Sequence, residues 1–135
     1  MDRYTTDAVG FLPYLVDDLG SAANACYRRA ERNDCVIELP AIAAIETLYR
    51  VERGHDLRGK APTGTSEQVI EGLEAFLPVT VVETGFEEIR LIPDLVADLS
   101  IHDAMIVASY RTRGTEGVIT TDTEIDDLGV SVVWD

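Results

Sequence analysis

The sequence contains little lysine, cysteine or histidine, and it has no long apolar run. Lys60 is the only lysine beside ten arginines, and Cys26 and Cys35 are the only cysteines. These cysteines have neither a CxxC spacing nor a metal-ligand spacing, so we expect two buried, reduced thiols rather than a disulfide. No apolar segment approaches the roughly 20 residues that span a bilayer, and the N-terminus has no signal-peptide pattern. We therefore expect a cytoplasmic protein with no membrane partner.

The sequence also lacks the residue patterns of several enzyme classes. His55 and His102 are the only histidines, and neither belongs to a Ser/His/Asp or Cys/His arrangement. We expect His102 to be a polar residue at the start of a helix. No glycine-rich nucleotide-binding fingerprint is present. A phosphoaspartate receiver-like domain also has an acidic pocket at strand ends, but it normally needs a lysine on a late strand. No lysine follows Lys60, so this class is the least supported.

The charge is strongly negative and unevenly distributed. The formal net charge is −14; residues 1–60 contribute −2, and residues 61–135 contribute −12. Such acidity normally opposes binding to nucleic acid. At molar salt, however, the Debye length falls to about 3 Å and a distant acidic surface no longer repels a polyanion. An acid-rich, lysine-poor composition therefore suggests a halophilic source. A polyanion would be better received by the less acidic N-terminal half, where we expect a basic approach route formed by Arg28, Arg29, Arg50, Arg53 and Arg58.

Short β-branched runs alternate with helical segments along the chain, which has a length of 135 residues. The predicted strands are Arg3–Asp7, Cys35–Leu39, Pro78–Glu83, a run around Val118, and Val130–Trp134. Strands that alternate with helices indicate an α/β fold, in which a mainly parallel sheet carries helices on its faces. We expect residues 1–135 to form a single domain.

A predicted helix over residues 40–53 carries an acid at the edge of its apolar face. The apolar positions recur with a helical period and predict the buried side, which is Ile42, Ile45, Leu48 and Tyr49. Glu46 lies beside them, where an unpaired carboxylate would be costly. Either an ion pair with Arg50, four residues on, or a metal ion would supply the missing positive charge.

Four acids occupy places that a parallel fold brings together. Asp7 ends the first strand, Glu46 lies on a helix, Asp103 opens a later helix, and Asp122 follows the strand at Val118. Each has a simpler explanation as a helix cap or turn residue. However, sites in open α/β sheets form at the carboxyl ends of strands, so the acids are expected to converge there. Convergent carboxylates need a counter-charge, and Mg²⁺ or Mn²⁺ prefers such oxygen ligands. Phosphodiester hydrolysis is the chemistry that uses such a pocket.

The motifs around these acids resemble those of the PIN-domain family, most closely the VapC-type toxins of toxin–antitoxin pairs. They are Asp7 after the first strand, Ala44-Ile-Glu46-Thr-Leu48, Ile101-His-Asp103-Ala-Met-Ile-Val-Ala108 and Ile119-Thr-Thr-Asp122. The resemblance covers nearly the whole chain. It implies a three-layer α/β/α domain, Mg²⁺- or Mn²⁺-dependent endoribonuclease activity, a homodimer, and an antitoxin that blocks the site.

The resemblance also implies roles for individual residues. The catalytic, metal-binding acids would be Asp7, Glu46, Asp103 and Asp122. Thr121 would orient a phosphate or water, and Asp126 or Asp127 would assist. The family usually has Thr or Ser after its first Asp, whereas this chain has Ala8. That departure favours an alternative, a catalytically weak or inactive PIN-like module that binds RNA or protein.

Overall fold

Five parallel strands form the centre of the protein. The computed structural model describes residues 1–54 and 64–135. The strands are β1 (Asp2–Thr6), β2 (Cys35–Pro40), β3 (Thr80–Val82), β4 (Val118–Ile119) and β5 (Val132–Val133). The helices are α1 (Ala8–Leu15), α2 (Ser21–Glu31), α3 (Ala41–Glu52), α4 (Ser66–Ala75), α5 (Phe86–Leu95), α6 (Ile101–Arg113) and α7 (Thr123–Asp126).

The strand order is β3-β2-β1-β4-β5, and every neighbouring pair is parallel. Parallel strands need crossover connections, and helices make them here, so the predicted α/β class with a parallel, helix-flanked sheet is confirmed. Because all strands run in one direction, their carboxyl ends lie along one edge. β1 pairs with both β2 and β4, so the segments that leave these three strands begin side by side.

The central strand β1 is polar, yet it is buried because its hydroxyls are paired. Thr5 and Thr6 are fully buried. The hydroxyl of Thr5 lies 2.8 Å from the hydroxyl of Thr115, and the hydroxyl of Thr6 donates to the carbonyl of Ile119 at 3.2 Å. Paired hydroxyls avoid the cost of burying an unsatisfied polar group. Around them packs an apolar core whose largest members include Phe11, Tyr27, Leu39, Val107 and Ile119.

A buried ion-pair network fixes the end of α6 against the sheet. Glu38, on β2, is 4% exposed, and its carboxylate accepts two hydrogen bonds from Arg113, at 2.6 and 3.0 Å. Arg3 adds a third at 3.1 Å and also donates to the carbonyl of Arg113 at 2.6 Å. Burial alone would raise the pKa of Glu38, but the two guanidinium groups hold that pKa below its usual value.

The buried face of α3 differs from the predicted one. Its buried residues are Ala43, Ala44, Thr47 and Val51. Ile45 is 61% exposed and Tyr49 is 55% exposed, so the prediction that both lie in the core is wrong. Ile42 and Leu48, the other two predicted positions, are partly buried and pack against the core, so the buried face is rotated toward the small side chains Ala43 and Ala44. The hydroxyl of Thr47 donates to the carbonyl of Ala43 at 2.8 Å, which makes its burial tolerable.

Cys26 and Cys35 are free and buried, as predicted. Within residues 1–54 and 64–135, no helix combines the length and the apolar character needed to cross a membrane. His55, Arg58 and Lys60 lie outside the described residues.

Candidate functional site

The four predicted acids line one cleft at the carboxyl edge of the sheet. The cleft has a volume of about 170 Å³. Its polar lining comprises Asp7, Glu46, Arg50, Ser100, His102, Asp103 and Asp122. The acids come from positions 7, 46, 103 and 122, so the parallel winding brings together parts of the chain that are far apart in sequence. Their convergence is a property of the described structure, and their roles remain predictions.

Asp7 forms the floor of the cleft and is 5% exposed. It immediately follows β1 and caps α1, since its Oδ1 accepts a hydrogen bond from the backbone N–H of Gly10 at 2.8 Å. Its Oδ2 accepts a hydrogen bond from the hydroxyl of Thr120 at 2.5 Å. Gly10 permits this arrangement because a Cβ there would overlap the carbonyl of Ile119. Burial raises the pKa of Asp7 to about 7, although both hydrogen bonds oppose the rise.

Asp103 and Asp122 form the most closely spaced part of the cluster. Asp103 lies in the first turn of α6, which Ser100 caps, and Asp122 caps the short helix α7. Three carboxylate oxygens lie within 4.8 Å of one another, one from each of Asp103, Asp122 and Glu124. Burial, and then the neighbouring Asp122 carboxylate, raises the pKa of Asp103 to about 7. Glu124 is a member of this cluster that the sequence motifs did not indicate, although it stands only two residues after Asp122.

Glu46 reaches the cleft from the middle of α3 and has two polar neighbours. Its Oε1 lies 3.2 Å from Nδ1 of His102, and its Oε2 lies 3.9 Å from Nη2 of Arg50. The ion pair with Arg50 was one of the two explanations left open by the sequence, and it is present as a long contact. The expectation that His102 is only a polar residue at a helix start is incomplete, because its ring contacts an acid 56 positions away.

The donor set fits a hard divalent cation. Among the described residues, no arginine or lysine forms an ion pair with Asp7, Asp103 or Asp122. Three carboxylates therefore share the cleft without an ion pair to arginine or lysine, and the pKa values of Asp7 and Asp103 are raised. Carboxylate oxygens are the ligands that Mg²⁺ and Mn²⁺ prefer. The residues present are thus suited to hold such an ion.

The arginines of the proposed approach route have different surroundings. Arg28 pairs with Glu31 at 2.8 Å and Arg29 pairs with Asp2 at 3.1 Å, so each is already matched by an acid. Arg50 lines the cleft, and the guanidinium of Arg53 lies 5.6 Å from the centre of the Tyr49 ring. Of the described members of the route, only Arg50 lines the acidic cleft.

No protein-family model matches the sequence, and no curated protein matches it. Solved structures do match. VapC20 from Mycobacterium tuberculosis, described as a sarcin–ricin loop cleaving toxin, aligns with a TM-score of 0.67 at 13% identity, over 94% of this chain and 95% of that one. VapBC2 from Rickettsia felis, in a structure described as bound to a DNA fragment from their promoter, aligns with a TM-score of 0.71 at 12% identity, over 98% of this chain and 99% of that one. FitAcB from Neisseria gonorrhoeae aligns with a TM-score of 0.68 at 15% identity, over 96% of this chain and 95% of that one.

The chain has the PIN-domain fold. This agrees with the resemblance seen in the sequence motifs. At identities of 12–15%, the likeness establishes the fold, and function has to be argued from the residues of the cleft.

Within this PIN fold, two predicted auxiliary residues are not part of the lining of the acidic cleft. Thr121 and Asp126 are exposed and line an adjoining depression, which shares Asp122 with the cleft. The buried Thr120, one position earlier, is the threonine that contacts Asp7. Sequence spacing could not separate the adjacent threonines, because strand β4 ends at Ile119 and both threonines follow it.

Ala8 occupies the position where the PIN-family resemblance predicts a hydroxyl. It is 1% exposed, begins α1 and contributes to the lining of the cleft. Its methyl group cannot donate a hydrogen bond, so the polar contacts next to Asp7 come from Gly10 and Thr120.

Proposed function

We propose that residues 1–135 form a single-domain, divalent-metal-dependent endoribonuclease that acts as the toxin of a toxin–antitoxin pair. The observation that carries the proposal is the convergence of Asp7, Glu46, Asp103 and Asp122 on one cleft of a PIN fold. The absence of arginine or lysine partners for three of these acids within the described residues supports a metal ion as their counter-charge.

The proposed role of each acid follows from its burial and its contacts in the cleft. Asp103 and Asp122, with Glu124 at the rim, would be the principal Mg²⁺ or Mn²⁺ ligands because their oxygens lie closest together. Asp7 would complete the acidic floor, and Glu46 would bind from the opposite helix. When bound, such a cation supplies Lewis-acid stabilisation of the charge that develops on a phosphodiester during hydrolysis. Arg50, the arginine that lines the cleft, would contact the RNA backbone.

The proposed biological setting comes from the similar structures and the composition. One similar structure is described as a toxin that cleaves the sarcin–ricin loop, which supports RNA as the substrate class. The VapC-type resemblance supports a cognate antitoxin, a homodimer and a cytoplasmic location. The net charge of −14 supports a halophilic source, in which high salt lets RNA approach an acidic protein.

The direct test is RNA cleavage by the purified chain. We expect single-stranded RNA to be cut at high salt when Mg²⁺ or Mn²⁺ is present, and to remain intact when EDTA removes the ion. Absence of cutting with both ions, across several RNAs that include ribosomal and transfer RNA, would contradict the proposed activity.

A second function is favoured by one specific observation, the replacement of a hydroxyl by Ala8. In that case the domain binds RNA or a partner protein without cutting RNA. A gel-shift assay beside the cleavage assay separates the two functions. Binding of RNA that stays intact with either ion would favour the binding module.

A further inference from the structure

Among the described residues, Glu46 is the only one of the four predicted acids whose carboxylate contacts a histidine. Nδ1 of His102, in the first turn of α6, lies 3.2 Å from Oε1 of Glu46, in the middle of α3. Both residues line the acidic cleft. This contact joins the helix that carries Glu46 to the helix that carries Asp103.

The direction of the hydrogen bond follows from the two groups. A carboxylate that binds a cation is ionised and can only accept, so in that state the imidazole would donate through Nδ1. The other oxygen, Oε2, is 3.9 Å from Arg50, which is longer than a hydrogen bond. His102 therefore makes the shorter of the two contacts to the Glu46 carboxylate.

Glu46 needs such a donor because of its place in the fold. Asp7 and Asp122 cap helices, so backbone N–H groups hold their carboxylates, at 2.8 Å in both cases. Glu46 lies inside α3, where the backbone N–H groups are already used by the helix. A flexible glutamate at such a position has no backbone donor within reach, so side chains have to restrain it, and His102 makes the shorter of its two side-chain contacts.

We infer that His102 is a positioning residue, which holds the Glu46 carboxylate in the cleft so that a divalent cation meets a preset ligand. The inference rests on the proposed function, and it deepens that function by assigning a role to a residue outside the acidic set. Hydrogen bonds to ligating carboxylates orient them and raise metal affinity.

The experiment compares two replacements that match each other in shape, His102→Asn and His102→Leu. Asparagine carries an N–H donor where the histidine has Nδ1, whereas leucine has a methyl group there. Mn²⁺ binding to the full chain is followed by electron paramagnetic resonance of the free ion, without any measurement of RNA cutting. Ile101→Ala is the control, since Ile101 is the exposed neighbour in the same turn. Thermal unfolding checks that all variants fold, which we expect because the His102 side chain is 55% exposed.

We expect His102→Leu to weaken Mn²⁺ binding several-fold, near the low end of the roughly 10–100-fold typical of such partners, with His102→Asn within about twofold of the wild type. Ile101→Ala should bind like the wild type. The inference is overturned if His102→Leu binds Mn²⁺ like the wild type, or if His102→Asn is as weak as His102→Leu. In both cases the wild type still binds the ion, so the proposed function stands. A wild type that binds no Mn²⁺ would overturn the proposed function together with this inference.

Discussion

The hydroxyl of Thr120 donates a hydrogen bond of 2.5 Å to Oδ2 of Asp7 and accepts one of 3.0 Å from the backbone N–H of Asp122. One buried side chain therefore links two acids of the cleft that are 115 positions apart. The contact also lowers the pKa of Asp7 against the opposing effect of burial. Thr120 is thus a structural support for the floor of the cleft.

Thr120→Val should therefore destabilise the protein. Valine keeps the shape but leaves the Asp7 carboxylate and the Asp122 N–H without this partner, which costs about 1–3 kcal/mol in the free energy of unfolding. Urea denaturation measures the change. Thr121→Val is the matched control, and it should change the free energy by less than about 0.5 kcal/mol because Thr121 is exposed. Equal effects of the two substitutions would contradict the support role of Thr120.

Stability should fall as pH rises through the range from about 4 to about 7 when divalent cations are absent. The pKa of Asp7 and that of Asp103 are each raised from 3.8 to about 7, chiefly by burial. In that range the folded protein keeps protons that the unfolded chain releases, so deprotonation favours unfolding. Thermal unfolding at about pH 5 and about pH 8 should show this loss, and Mg²⁺ should reverse it mainly at the higher pH, since ligand binding to deprotonated sites stabilises the folded state.

Asp7→Asn should reduce this pH dependence, because asparagine does not titrate. The exposed Asp98→Asn serves as the control and should leave the dependence unchanged. If Asp7→Asn and Asp98→Asn gave the same pH profile as the wild type, Asp7 would not carry the raised pKa.

Glu38→Gln should be strongly destabilising. The substitution leaves the guanidinium groups of Arg3 and Arg113 without their shared carboxylate, and breaking a buried pair costs roughly 3–5 kcal/mol, less here because both arginines are partly exposed. Because the pKa of Glu38 is lowered in the folded protein, its contribution is present above about pH 4.5 and is lost as pH falls further. Chemical denaturation of Glu38→Gln beside the exposed Glu116→Gln measures the difference. If Glu38→Gln lowered the free energy of unfolding no more than Glu116→Gln does, the ion-pair network would contribute nothing to stability.

Much of the fold could be predicted from the sequence, because the alternation of strand and helix patterns reflects a parallel sheet. Boundaries were less accurate at the two edges of the sheet. Residues 78–83 and 130–134 both have strand character, yet β3 covers only Thr80–Val82 and β5 only Val132–Val133. An edge strand pairs on one side, so fewer of its residues are held in the ladder.

The site was predictable where topology decides, and it was not where packing decides. Parallel strands end at one edge of the sheet, as the sequence predicted, and the direct pairing of β1 with β4 then brings Asp7 and Asp122 to one cleft. The contact of His102 with Glu46 depends on how α3 and α6 pack, and a helical period does not contain that information. The helical period in α3 also predicted the wrong buried face. Ala43 and Ala44 are the residues buried there, and Ile45 is exposed.

RNA cleavage by Asp103→Asn, beside the wild type, tests the central claim most directly. Asparagine keeps the size of the side chain but carries no negative charge. The substitution therefore removes one of the three anionic groups whose oxygens lie within 4.8 Å of one another. We predict that the wild type cuts RNA with Mn²⁺, and that Asp103→Asn loses at least about 100-fold in rate, while its thermal unfolding shows a folded protein. A folded Asp103→Asn variant that cuts RNA as fast as the wild type would contradict the account.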